Sequence, residues 1–163
     1  MDVFCDSERN ELVMSKQHVA YLALGSNLGA RAANIQRGLR AIAPFAKVEA
    51  TSFLYETPPA YVLDQPKFLN AVCCVTTDLT PYDLLVALKQ TEDSLGRFKS
   101  IRFGPRSIDL DILFYDDIQM ALPDEVLIIP HPRLAERGFV LEPMHDIAPT
   151  FVHPGIGVTI EEL

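Results

Sequence analysis

The sequence predicts an α+β fold: a ferredoxin-like β-α-β-β-α-β core with an extra C-terminal strand and short helices, in a single domain. Three observations predict it. Four stretches have strand length and strand composition, and two place apolar residues at helical spacing. Their order along the chain is that of a split βαβ unit. A chain of 163 residues that is 48% hydrophobic can also bury one real core. No repeat, low-complexity tract or linker divides it.

The elements follow in order. His18 to Leu24 forms the first strand, closed by the turn cluster "GSNLG". Asn34 to Ile42 carries Ile35, Leu39 and Ile42 on one helical face, with Pro44 just beyond. Val48 to Tyr55 is the second strand. The stretch "ETPPAYVLDQPKF" has three prolines in thirteen residues and is a stiff loop. Phe68 to Thr77, β-branched and apolar, is the third strand. "TPYDLLVALKQTEDSLG" is a helix with Thr80 as cap, Pro81 in the first turn and Gly96 as terminator. Ile108 to Tyr115 is the fourth strand. A short strand near Val126 to Ile129 and helical pieces near Pro132 to Arg137 and Phe139 to Met144 complete the chain.

Composition excludes several classes of function. Net charge is −8, from 22 acids against 14 bases, which argues against nucleic acid or an anionic membrane as partner. No apolar run is long enough to span a bilayer. Residues 1–16 mix charges of both signs and lack a signal-peptide core, so a poorly ordered extension is expected ahead of a domain at 17–163. Cys5, Cys73 and Cys74 are odd in number and suit neither a disulfide framework nor a metal site, which points to a reducing cytoplasm.

The fourth strand carries the chemistry. Ile108, Leu110 and Ile112 share one parity, Asp109 and Asp111 the other. Residues two apart on a strand share a face roughly 7 Å apart. Aspartate is a poor strand former, so two on one face need a reason. An edge strand with a wet polar face is the bland one. The sharper one is a hard divalent ion held by oxygen ligands, because Arg97, Lys99, Arg102 and Arg106 lie directly upstream and metal with guanidinium is what phosphoryl transfer requires. His131 sits between two prolines that could fix an imidazole against a ligand. Asn70 opens a strand that should be buried, where an amide must find partners. It serves the backbone or reads a planar heterocycle, with Phe68 and Phe103 as flat walls.

"YLALGSNLG", "ETPP", "DQPKFLNAV", "GPRSIDLDI" and "IPHPRLAERGFVLEP" resemble, in order from about Val19 to Pro149, the 6-hydroxymethyl-7,8-dihydropterin pyrophosphokinase family of folate biosynthesis. The resemblance implies that ATP gives its β,γ-diphosphate to the pterin hydroxymethyl oxygen, leaving AMP. It further implies two magnesium ions on Asp109 and Asp111. Arg97 and Arg106 would stabilise the transferring group from a loop that closes over the site. A pterin pocket of Thr57, Pro58, Phe68, Asn70, Phe103 and Phe139 is implied, in which Asn70 reads the amide-like edge and Phe103 and Phe139 sandwich the rings. Glu92, Ile112, His131 and Arg137 would line the ATP side. Phe103 stands where well-known members carry Trp, and Pro132 where some carry Tyr. The alternative is a non-catalytic pterin- or nucleotide-binding module of the same fold. A monomer acting on ATP and hydroxymethyl dihydropterin is expected.

Overall fold

The computed structural model describes residues 16–96 and 104–163. Its order is β1 (His18–Ser26), α1 (Arg31–Ile42), β2 (Lys47–Thr51), β3 (Tyr55–Thr57), β4 (Phe68–Thr77), α2 (Pro81–Ser94), β5 (Asp109–Tyr115), β6 (Met120–Ala121), β7 (Ile128–Ile129) and α3 (Gly138–Ile147). The main sheet runs β2-β4-β1-β5, with β3 also on β4, and every pair is antiparallel. This is the expected α+β core. No helix among the described residues is long and apolar enough to cross a membrane.

The predicted second strand is split in two. Val48 to Tyr55 has an unbroken strand pattern, yet the chain leaves the sheet after Thr51 and returns at Tyr55. Ser52 takes the ladder position with its side chain, its hydroxyl accepting the Val72 N–H at 2.9 Å. The freed Phe53 N–H turns to the Asp146 carboxylate at 3.0 Å. A side chain that substitutes for backbone ends a strand without any break in hydrophobic pattern. The first helix starts earlier than expected, at Arg31, because Gly29 (φ +61°) turns the chain sharply out of β1. Thr80 caps α2 as predicted, accepting the Asp83 N–H.

Both faces of the sheet are covered, by different amounts. Ile35 and Ile42 of α1 and Leu84 and Leu88 of α2 pack on Leu22, Leu110 and Ile112 in one apolar cluster. Gly38 lets α1 sit close, since a Cβ there would meet Ile108 Cδ1 at 3.3 Å. On the opposite face Val140 and Met144 of α3 join Leu134, Val72 and Phe114 in a second, smaller cluster. Between Tyr21 and Leu22 the β1–β5 register shifts by one residue, a bulge that lets Leu113 and Phe114 both reach this second cluster. α3 covers only part of its face, and a cavity opens on the uncovered part.

Candidate functional site

A cavity of about 260 Å³ opens on the α3 face. Its floor is one cross-strand row of the sheet: Asn70 on β4 pairs with Gly25 on β1, and Gly25 pairs with Asp109 on β5. Two strand spacings put the Asn70 and Asp109 backbones roughly 10 Å apart. The next row sets Ala23 opposite Asp111. Gly25 and Ala23 leave the floor low between the polar ends. Gly25 has to be bare, because a Cβ would come within 3.3 Å of Asn70 Oδ1 and 3.9 Å of the Phe68 ring.

Asp109 and Asp111 both point into the cavity, and each meets a cation. Arg106 Nη1 donates to Asp109 Oδ2 at 2.9 Å, and Lys89 Nζ donates to Asp111 Oδ1 at 3.3 Å. Burial pushes the Asp111 carboxyl up, but Lys89, His131 and Arg137 outweigh it and hold it below the usual carboxylate range. The donors are all oxygen, which suits a hard divalent ion, while the cations around them suit anionic groups bound to such an ion rather than the bare ion itself. No cluster of three or more His, Cys, Asp or Glu side chains is present among the described residues, so protein groups alone would leave such an ion largely to substrate and water.

At the β4 end, Asn70 is 8% exposed and donates through Nδ2 to Thr57 Oγ1 at 2.7 Å. Thr57, which pairs with Phe68 across β3 and β4, lines the same end with Pro58, and Phe139 lines the cavity beside Arg137. At the other end stand His131 and Arg137. The His131 N–H donates to the Leu113 carbonyl at 2.9 Å, which ties the proline-framed segment to β5. Its Nδ1 accepts the Arg133 N–H at 3.2 Å, leaving Nε2 for a ligand. Burial pushes the imidazole pKa down, Arg137 and Arg133 add to this, and Asp111 only partly offsets them, so the ring is neutral near pH 7. The Arg137 guanidinium lies 5.5 Å from the Phe139 ring centroid, and its buried Nε has no hydrogen-bond partner.

The structure thus brings together Thr57, Pro58, Phe68, Asn70, Arg106, Asp109, Asp111, His131, Arg137 and Phe139 around one cavity. It does not bring Glu92 and Ile112 to that wall. Ile112 has the wrong strand parity and is buried against the helices. Glu92 is 1% exposed, and its Oε1 accepts the Leu110 N–H at 2.6 Å, fastening α2 to β5. Arg97 and Phe103, with Lys99 and Arg102, lie outside the described residues.

Three residues that local pattern did not single out belong here. Asn27, expected only as a turn residue, is 1% exposed and joins three segments. Its N–H donates to the Arg106 carbonyl at 3.1 Å and its Oδ1 accepts the Arg106 N–H at 2.8 Å. Its Nδ2 donates to Gln65 Oε1 and the Pro66 carbonyl. Tyr61, on the proline-rich loop, accepts from Arg137 Nη2 at 3.1 Å and carries the Arg133 guanidinium 5.5 Å from its ring centroid. Lys89 is the third. Tyrosine and lysine spacing held no signal for these contacts; only the buried amide of "GSNLG" could have raised the question.

Residues 21–149 match the family 7,8-dihydro-6-hydroxymethylpterin-pyrophosphokinase (HPPK). The chain is 44% identical, over 83% of its length and 86% of the relative's, to the 2-amino-4-hydroxy-6-hydroxymethyldihydropteridine pyrophosphokinase of Methylorubrum extorquens. It is 43% identical over 90% of its length to the folic acid synthesis protein FOL1 of Dictyostelium discoideum, but spans only 22% of that longer protein. Among solved structures, HPPK-DHPS of Plasmodium falciparum with pteroate superposes with a TM-score of 0.73 over 90% of this chain and 41% of that one; at 20% identity this likeness speaks for the fold.

Proposed function

The chain belongs to the 7,8-dihydro-6-hydroxymethylpterin-pyrophosphokinase family, and from that premise we propose that it transfers the β,γ-diphosphate of ATP to the hydroxymethyl group of 6-hydroxymethyl-7,8-dihydropterin. The hydroxymethyl oxygen bonds to the β-phosphorus, the bridge to the α-phosphorus breaks, the hydroxyl proton is lost and AMP departs. One observation carries this reading: a carboxylate pair with its own cations forms the floor between an amide-bearing pocket and a histidine–arginine wall.

Asn70, fixed by Thr57, reads the amide-like edge of the pterin, while Phe68 and Phe139 give it apolar walls beside Pro58. Phe103 is proposed as the second ring of the sandwich and Arg97 as a further cation on the phosphates. His131 offers Nε2–H and Arg137 its unpartnered Nε to the ATP phosphates. Arg106, paired with Asp109 in the free protein, would trade that carboxylate for the oxygens of the transferring phosphate. Asp109 and Asp111 are the groups that would hold two magnesium ions. Magnesium bound there supplies Lewis acidity to the phosphate oxygens and a template for in-line displacement. Residues 17–163 form the catalytic domain in this reading, which places a monomeric enzyme in the cytoplasm with two small molecules as substrates.

The test is to incubate the protein with ATP, magnesium and the hydroxymethyl dihydropterin and separate the nucleotides. AMP in stoichiometric yield is the expected product. ADP would indicate ordinary phosphoryl transfer, and binding of both substrates without turnover would leave a non-catalytic binding module.

A further inference from the structure

Lys89 belongs to no motif of the sequence, yet its ammonium is tightly placed. It projects from α2 across to β5 and makes three contacts: Glu92 Oε1 at 3.0 Å, the Leu110 carbonyl at 2.9 Å and Asp111 Oδ1 at 3.3 Å. The first two hold it in position. Glu92 is itself immobilised by burial and by the Leu110 N–H, which the same oxygen accepts. A surface lysine with a swinging head would spread over many positions. This one is docked on a backbone carbonyl and a buried carboxylate, with its third contact on Asp111. Its side chain is still 40% exposed, so the ammonium has room to shift.

We propose that Lys89 is the resident counter-ion of Asp111: it disfavours a bare divalent cation at that carboxylate and turns to the phosphates when metal and nucleotide arrive together. The inference rests on the reading of Asp109 and Asp111 as metal ligands. Its physical basis is the sign of the charge brought in. A divalent ion entering alone meets an ammonium of like sign within contact distance of its own ligand and has to displace it. A nucleotide tetra-anion reverses that sign, because Lys89 then faces phosphate oxygens as well as metal. The carboxylates are therefore never left bare, and the metal is taken up with the nucleotide rather than ahead of it.

Two opposite changes in one variant test this. Lys89→Gln keeps a donor for the Leu110 carbonyl but removes the charge. Titration with Mn²⁺ alone, followed by electron paramagnetic resonance, should show affinity rising about tenfold, equivalent to ~1.4 kcal/mol. Titration with ATP at saturating Mg²⁺, without pterin, should show affinity falling by a similar factor. Lys89→Arg should resemble the wild type in both. A purely structural lysine would weaken both affinities or neither. Unchanged or weaker Mn²⁺ binding in Lys89→Gln, or the same changes in Lys89→Arg, overturns the proposal. If Lys89→Gln alone unfolds because Glu92 is left uncompensated, the double variant Lys89→Gln/Glu92→Gln carries the same two expectations. Asp111→Asn separates this from the premise: Mn²⁺ binding that ignores Asp111→Asn sinks the metal-ligand reading, whereas binding that depends on Asp111 but not on Lys89 sinks only the counter-ion.

Discussion

The two faces of β5 are separated by one backbone and obey different rules. The Leu110 and Ile112 side chains point to the helices and pack in their apolar cluster, almost wholly out of water. Asp109 and Asp111 point to the cavity and are each held by a cation, Asp109 by Arg106 three residues upstream and Asp111 by Lys89 of α2. The first face is kept by area: each large side chain there contributes on the order of 1.5–3 kcal/mol, and neighbours can partly relax around a loss. The second is kept by charge and position, contributes little net stability, and cannot be replaced by a residue of similar size. In the proposed reading stability and chemistry are thus assigned to opposite sides of one strand, and the strand's alternation keeps them apart.

The largest effect should come from crossing that division at adjacent positions. Asp111→Asn should lower turnover by roughly 10²–10³-fold, the loss typical of one preorganised electrostatic group, while shifting unfolding free energy by less than about 1 kcal/mol. Leu110→Ala should do the reverse, costing about 2–5 kcal/mol in urea unfolding with kcat nearly intact at temperatures where the protein stays folded. Steady-state kinetics and denaturation on the same two variants check the pair. If Leu110→Ala abolished turnover in the folded protein, the faces would not be independent.

A smaller effect is expected where the division is bridged. Asn27 holds the Arg106 backbone by two hydrogen bonds and the Gln65–Pro66 loop by two more, without itself lining the cavity. Asn27→Ala should lower kcat by about tenfold, about 1.4 kcal/mol of transition-state stabilisation, with a further cost in stability from buried groups left unpaired. Asn27→Asp should recover part of the rate, since Oδ1 can still accept the Arg106 N–H. Equal losses in the two variants would mean that Asn27 supports the loop rather than Arg106.

The smallest effect is on pH. Burial lowers the pKa of both His131, at the cavity, and His153, beneath Phe114 on the same side of the sheet. Their folded values lie below the unfolded value near 6.5, so the unfolded chain binds more protons there and stability falls as pH drops through about 6.5. Asp111 and Asp116 have depressed values, and their contribution is lost only at lower pH, as the medium approaches their folded pKa. Melting temperature should therefore decline from about pH 6.5 downward in wild type and decline less in His153→Gln. An unchanged pH profile in that variant would remove His153 from the account.

By itself the sequence determined everything that rests on local periodicity and capping. The β4 limits, the Thr80 cap, the end of α1 at Ile42 and the opposite parities of Leu110 and Asp111 all follow from neighbours within a few positions. Its ordered motifs also marked the family and most of the cavity wall. Tertiary structure decided what depends on partners far along the chain. Ser52 ended β2 by reaching Val72, Asn27 reached Arg106, Tyr61 reached Arg137 and Lys89 reached Asp111. A polar side chain advertises that it needs a partner but not which one. That choice is made only when the sheet order sets β1 between β4 and β5 and lays α2 against the strand that carries the aspartates.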